Sequence, residues 1–196
     1  MNKSFILVFA LAVTTTLVQA QTSAGNMMVG GTIDFTSVSR EGGSLNDVSS
    51  FTFSPSFGYF ISDNLAIGSS LTLSSSRQGT GSAKTVTTGF GIGPFARYYK
   101  FTSNDRFAIF GEAGLGFGTG KTDPAVGNVT HSNYITFSVV PGAAFFFNEH
   151  WAFEVSITGF GITSTDPDTD NNDDKITTVN LGLSSFSPRL GFRYHF

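Results

Sequence analysis

Large apolar side chains recur at every second position along most of this chain, and the runs they form predict strands rather than helices. In 27–35, Met27, Val29, Ile33 and Phe35 share one side, and in 51–59 every odd position is apolar. The same spacing sets Leu65, Ile67, Leu71 and Leu73 in 65–73, and Val86, Phe90, Ile92, Pro94 and Tyr98 in 86–98. It continues through Phe107, Ile109, Ala113, Leu115 and Phe117, then Ile135, Phe137, Val139, Pro141, Ala143, Phe145 and Phe147. Trp151, Phe153, Val155 and Ile157 follow, and the chain ends on Pro188, Leu190, Phe192, Tyr194 and Phe196. These are eight predicted strands. Beyond residue 20 no segment carries the capped 3.6-residue period of a helix.

The second face decides what surrounds the first. Every charge inside these runs (Asp34, Arg97, Glu112, Glu154, Arg189, Arg193) lies opposite the apolar row, among Ser, Thr and Gly. A soluble lipocalin-like binder would turn its apolar row inward around a ligand. Here the other row, rich in small polar residues and charges, suits a barrel interior, and the apolar row then meets hydrocarbon. The connections agree. Those at 62–64, 102–105 and 148–150 are tight, whereas those around 38–50, 75–85, 120–133 and 163–177 are long and rich in Gly, Ser, Asn and Asp. Short turns on the periplasmic side and long loops outside are how outer-membrane barrels are wired. The reading is therefore an all-β, eight-stranded antiparallel up-and-down transmembrane β-barrel.

The chain is also internally repetitive. Pro55/Tyr59, Pro94/Tyr98, Pro141/Phe145 and Pro188/Phe192 repeat at one register. The first three are followed by a turn and by Asp63-Asn64-Leu65-Ala66-Ile67, Asp105-Arg106-Phe107-Ala108-Ile109 and Glu149-His150-Trp151-Ala152-Phe153. The unit is a hairpin. Its proline, which cannot donate to a ladder, predicts a ring of bulges or kinks.

The first twenty residues add an address. Lys3, the apolar run Phe5–Val13 and the ending Val18-Gln19-Ala20 form a secretory signal peptide, too short to span a bilayer, with cleavage expected after Ala20. Residues 21–196 then make one domain with ten basic and fourteen acidic residues, a balance that gives no support for nucleic acid as a partner. There is no cysteine, so no disulfide or thiolate metal site applies. With 22 Phe, 23 Gly and 13% charged residues, the composition suits a strand-rich wall.

The hairpin 54–68, Pro94-Phe95-Ala96-Arg97-Tyr98-Tyr99 and Gly111-Glu112-Ala113-Gly114-Leu115-Gly116 resemble the outer-membrane β-barrel domain family common in Bacteroidetes. The fold is similar to the eight-stranded transmembrane domain of outer membrane protein A. The resemblance covers the chain from about Asn26 and implies the outer membrane of a Gram-negative bacterium, with membrane lipid and lipopolysaccharide as surroundings. It also implies that Leu190, Phe192, Tyr194 and the terminal Phe196 form the signal presented to the barrel-assembly machinery. No peptidoglycan-binding domain follows the barrel, so a cell-wall tether is not implied.

An eight-stranded barrel is just wide enough for its own side chains. Phe60, Tyr99 and Phe146, at one height near the periplasmic end with Arg193 beside them, are expected to plug it. Small inward residues such as Ser54, Ser70, Gly93, Gly116 and Ser138 leave room above. Buried charges need partners, and strand heights pair Arg97 with Glu112, Glu154 with Arg193, and Asp34 with Arg189 as structural bridges. A gating role is the sharper alternative. Tyr98, Phe101, Phe107, Phe145, Phe147, Trp151, Tyr194 and Phe196 are expected to make the periplasmic aromatic girdle. The run Asp166–Asp174 resembles a calcium loop but has Asn171 where Gly is required and Thr177 where Glu is required, so it reads as a solvated outer loop on which divalent ions bridging lipopolysaccharide can gather. No cofactor or metal site is expected. His131 sits beside Ser132 in an outer loop without G-x-S-x-G or a converging acid, which leaves no catalytic residue to name. The expected function is a non-enzymatic scaffold that displays four outer loops, through which a surface partner is met. The alternatives are a narrow channel or lateral route for small or hydrophobic solutes, and the lipocalin-like binder.

Overall fold

The computed structural model describes residues 21–38, 47–79, 84–167, 175–182 and 188–196. The predicted signal peptide, 1–20, lies outside them. The strands are β1 (Met27–Val38), β2 (Val48–Ser62), β3 (Leu65–Gln78), β4 (Thr85–Phe101), β5 (Phe107–Asp123), β6 (Thr130–Phe146), β7 (Trp151–Ile157), β8 (Phe160–Pro167), β9 (Ile176–Leu181) and β10 (Pro188–His195). Strands β1 to β7 and β10 close an antiparallel ring, with β5 joined to β6 and β10 set between β1 and β7. This is the predicted eight-stranded barrel. The strands β8 and β9 are additional: β8 pairs with β6 above β7, and β9 pairs with β8.

The strands run further than the apolar rows. β3 reaches Gln78, β4 begins at Thr85, β5 ends at Asp123 and β6 begins at Thr130, so much of the predicted long-loop sequence is ladder. Above the membrane both faces of a strand meet water, and an apolar period no longer marks it. The outward rows stop together. Phe35, Phe51, Leu73, Phe90, Phe117 and Ile135 are each succeeded on the outward face, toward the loop end, by Ser37, Ser49, Ser75, Thr88, Thr119 and Asn133. From Tyr98 up to Phe90 an apolar row rises about 20 Å at a ~40° tilt, close to the height of an outer-membrane apolar band. Outward charges such as Arg77, Lys100 and Lys121 lie at strand ends, beyond these rows.

Exposure follows the same division. Leu190 is 50% exposed and Phe192 56%, whereas Arg193 between Phe192 and Tyr194 is 2% exposed. The lipocalin-like arrangement would need the reverse. Near the periplasmic turns Trp151 packs on Tyr194 with ring centroids 5.0 Å apart, and Tyr194 stacks on Phe196 at 5.8 Å. Phe101 departs from the predicted girdle. It shares the inward parity of Tyr99, and its ring lies 5.5 Å from that of Phe146 inside the barrel.

Pro55 and Pro94 each interrupt one ladder for two rungs without shifting its register, so neither makes the predicted bulge. The β2–β3 ladder passes from Phe53↔Leu73 to Ser56↔Ser70 around Pro55, and β4–β5 passes from Ile92↔Phe117 to Phe95↔Gly114 around Pro94. At Pro141 the ladder changes partner altogether. β6 goes from Gly142 to Val139, three residues, while its neighbours go from Ser156 on β7 to Phe160 on β8, four residues. The extra residue is a bulge. It turns the outward parity from odd at Ile157 to even at Phe160. Gly159 sits in that step, where a Cβ would meet the Val139 carbonyl oxygen and come within 2.7 Å of Pro141 Cδ.

Candidate functional site

The barrel is closed at its periplasmic end by side chains that alternate large and small. Phe60 faces Ala66 across β2–β3, and Phe146 faces Ala152 across β6–β7. The alanine of the repeat is therefore the recess into which the neighbouring aromatic leans. Phe60, Tyr99 and Phe146 are all fully buried. His195 stands among them, 5.2 Å from the Phe146 ring and 5.8 Å from Phe60, and Met28 and Phe110 complete the layer. The predicted plug residues thus meet at one level. His195, inward at the barrel floor as its parity predicts, and Met28 and Phe110 lie off the position five residues after each repeat proline, so the repeat does not single them out as plug residues.

Residues 21–26 cross beneath this layer. The Ala24 amide donates to Asp63 Oδ1 at 3.0 Å, the Asn64 amide donates to the Thr22 carbonyl at 2.7 Å, and His195 Nδ1 lies 3.1 Å from the Gln21 carbonyl. Asn64, with φ of 65°, makes the left-handed turn that presents its amide.

Directly above the plug is a chain of four charges, Glu112–Arg97–Glu154–Arg193. Arg97 Nη2 lies 2.7 Å from Glu112 Oε2, Arg97 Nη1 2.8 Å from Glu154 Oε1, and Arg193 Nε 3.0 Å from the same Glu154 oxygen. The Tyr99 hydroxyl donates to Glu154 at 3.0 Å, and Arg193 Nη1 donates to Ser56 Oγ at 2.9 Å. The Arg97 guanidinium also lies over the Phe110 ring, 4.2 Å from its centroid. Arg97 meets Glu112, and Glu154 meets Arg193, as strand heights suggest. The Arg97–Glu154 contact joins β4 to β7 across the lumen. Neighbouring-strand register has no means of revealing it.

The third expected pair, Asp34 with Arg189, does not form. The β1–β10 ladder ends at Ile33↔Leu190, one rung below the position where the two side chains would face each other. Neither has a hydrogen-bond or ion-pair partner among the described residues.

Over the charge chain lies a cavity of about 170 Å³ lined by hydroxyls (Thr32, Ser54, Ser56, Ser70, Thr72, Thr136, Ser138, Ser156) and by Arg97, Glu112, Arg189 and Arg193. Gly191, between the two β10 arginines on the inward face, keeps the middle of that wall bare. Higher up, the Tyr134 ring lies against Gly91 and Gly118, where a Cβ at either position would strike it. No group of three or more metal-ligating side chains occurs among the described residues. Most of the Asp166–Asp174 run lies outside them.

The histidines give no catalytic constellation. His131 lies in β6 opposite Lys121, rather than in a loop, and is exposed. His150 Nδ1 lies 2.9 Å from the His195 carbonyl, and His195 is in the plug.

Comparison with known proteins follows the architecture. No curated protein sequence matches the chain. Among solved structures, it is similar to the N-terminal β-barrel domain of OprF from Pseudomonas aeruginosa, with a TM-score of 0.50 and 13% identity over 88% of this chain and 98% of that one. It is likewise similar to Neisserial surface protein A, with a TM-score of 0.51 and 16% identity over 88% of this chain and 98% of the other. At these identities the likeness is one of fold. The sequence itself matches the model of the outer membrane protein beta-barrel domain across residues 5–185. With its apolar rows outward, its charges inward and most of its length matched, this chain belongs to the outer membrane protein β-barrel domain family.

Proposed function

We propose that this protein is a non-enzymatic scaffold of the outer membrane, which holds outward-facing loops on a rigid sealed barrel for contact with surface partners. One observation carries the reading: Phe60, Tyr99 and Phe146 are fully buried at one level beneath a chain of ion pairs, a packing that opposes a water-filled path through the base. A transporter of hydrophilic solutes needs such a path. Export through a signal peptide cleaved after Ala20, assembly through Leu190, Phe192, Tyr194 and Phe196, and lipopolysaccharide around the rim belong to the same reading. Reconstituted in planar bilayers, the refolded protein is expected to give no stepwise conductance, while the triple variant Phe60→Ala/Tyr99→Ala/Phe146→Ala gives discrete openings. Steady channels from the unmodified protein would contradict the scaffold.

A lateral route for small hydrophobic solutes is the second reading, and a specific feature favours it. Above Ile33, β1 pairs with β2 alone, and β9 pairs with β8 alone, among the described residues. The missing ladder between β1 above Ile33 and β9 among the described residues is where such a route would pass. Faster entry of an apolar dye into proteoliposomes carrying the protein than into empty vesicles is the result that supports this route.

A further inference from the structure

We propose that the hydroxyl-lined cavity above the plug is a binding site for a small monoanionic hydroxycarboxylate, with Arg189 as its anchor. The argument begins with charge. Arg97 and Arg193 are both committed, to Glu112 and Glu154, at 2.7–3.0 Å. Arg189 lines the same cavity, half-buried, and has no hydrogen-bond or ion-pair partner among the described residues. The cavity with its floor therefore holds three guanidiniums against two carboxylates. A partly buried guanidinium without a partner is costly, and a planar fork of N–H donors fits a carboxylate in two parallel bonds.

The wall sets the rest of the ligand. Eight hydroxyl groups share the wall with Phe95 and Val140; Ser56 accepts from Arg193 and Thr136 bonds Thr163, and the other six offer partners to hydroxyl groups on the ligand. The volume, about 170 Å³, corresponds to about six waters, which limits the solute to about that many non-hydrogen atoms. The surplus is one positive charge, and Glu112, also on the wall, repels a second negative charge. Both features select a monoanion over a dianion such as phosphate. Arg189 stands about 13 Å along β10 from Arg193, with Gly191 bare between them, so the ligand lies between the free guanidinium and the paired one. Asp34 is the next inward residue above Thr32. It lies beyond the cavity wall and competes with the ligand for Arg189.

The site is independent of the scaffold reading, and its test does not depend on conductance. The refolded full chain in detergent micelles is titrated with L-lactate, inorganic phosphate and glucose, with calorimetry and the Arg side-chain NMR signals as readouts. Heat-modifiable gel mobility confirms that each variant is folded. Lactate is expected to bind saturably at one site, with phosphate and glucose weaker. Arg189→Gln weakens lactate by about tenfold or more, as expected for loss of a charge-assisted hydrogen-bond pair. Asp34→Asn tightens it. Absence of saturable lactate binding to the unmodified protein, or equal binding to folded Arg189→Gln, overturns the site. Phosphate or glucose binding as tightly as lactate overturns the ligand assignment.

Discussion

Glu154 shows how one side chain can organise an interior. Its carboxylate accepts from Arg97, Arg193 and Tyr99 at 2.8–3.0 Å, and it joins staves on opposite sides of the lumen. Replacing it with glutamine preserves volume and leaves Arg193 without a countercharge, and Arg97 with Glu112 alone. Loss of one partner from a buried pair typically costs ~3–5 kcal/mol. The Glu154→Gln variant is expected to unfold in urea with its midpoint lowered accordingly and its slope unchanged. Arg189→Gln, by contrast, removes a partly buried charge that has no partner among the described residues, and its midpoint should match or exceed that of the parent. Equal losses for the two variants would refute this division of roles. The sequence reveals which charges face inward, because parity alone decides that. It does not reveal that Glu154 is shared, because a cross-lumen contact depends on barrel diameter and side-chain reach.

Strand boundaries were legible where lipid enforces an apolar row and illegible where it does not. Trp151 to Ile157 reads cleanly at period two; the bulge at Thr158–Gly159 then flips the parity, and Phe160 and Ile162 fall out of phase with what precedes them. The sequence consequently reads as a long link around 163–177, where β8 ends and β9 begins. Pro141 and Gly159 are the physical cause, since one lacks an amide proton and the other alone allows the close approach that follows. Gly159→Val is expected to destabilise the barrel by at least ~1–3 kcal/mol, because its side chain meets backbone that cannot step aside. Chemical unfolding of refolded protein measures this. A neutral effect would show that the junction is looser than the packing around Pro141 implies.

For the molecule as a whole, fold and orientation come from two solvents acting on one repeated hairpin. Four prolines at one register, alternating turn lengths and segregated charges suffice to indicate a closed barrel, and the plug follows from a single position in the repeat. The separation of faces also predicts a pair of unequal effects. Leu71→Arg places a charge in the middle of the apolar band and should cost ~2–4 kcal/mol, whereas Ser70→Arg, pointing into the polar lumen, should cost much less. Urea titrations of both variants refolded into the same lipid decide the comparison. The most direct test uses the absence of native cysteine. Single cysteines placed in turn at 189 to 194, spin-labelled in lipid vesicles, report collision with oxygen, which concentrates in hydrocarbon. Labels at 190, 192 and 194 are expected to show high oxygen accessibility and those at 189, 191 and 193 low. The opposite phase, or no alternation, would contradict the outward placement of the apolar row on which the account rests.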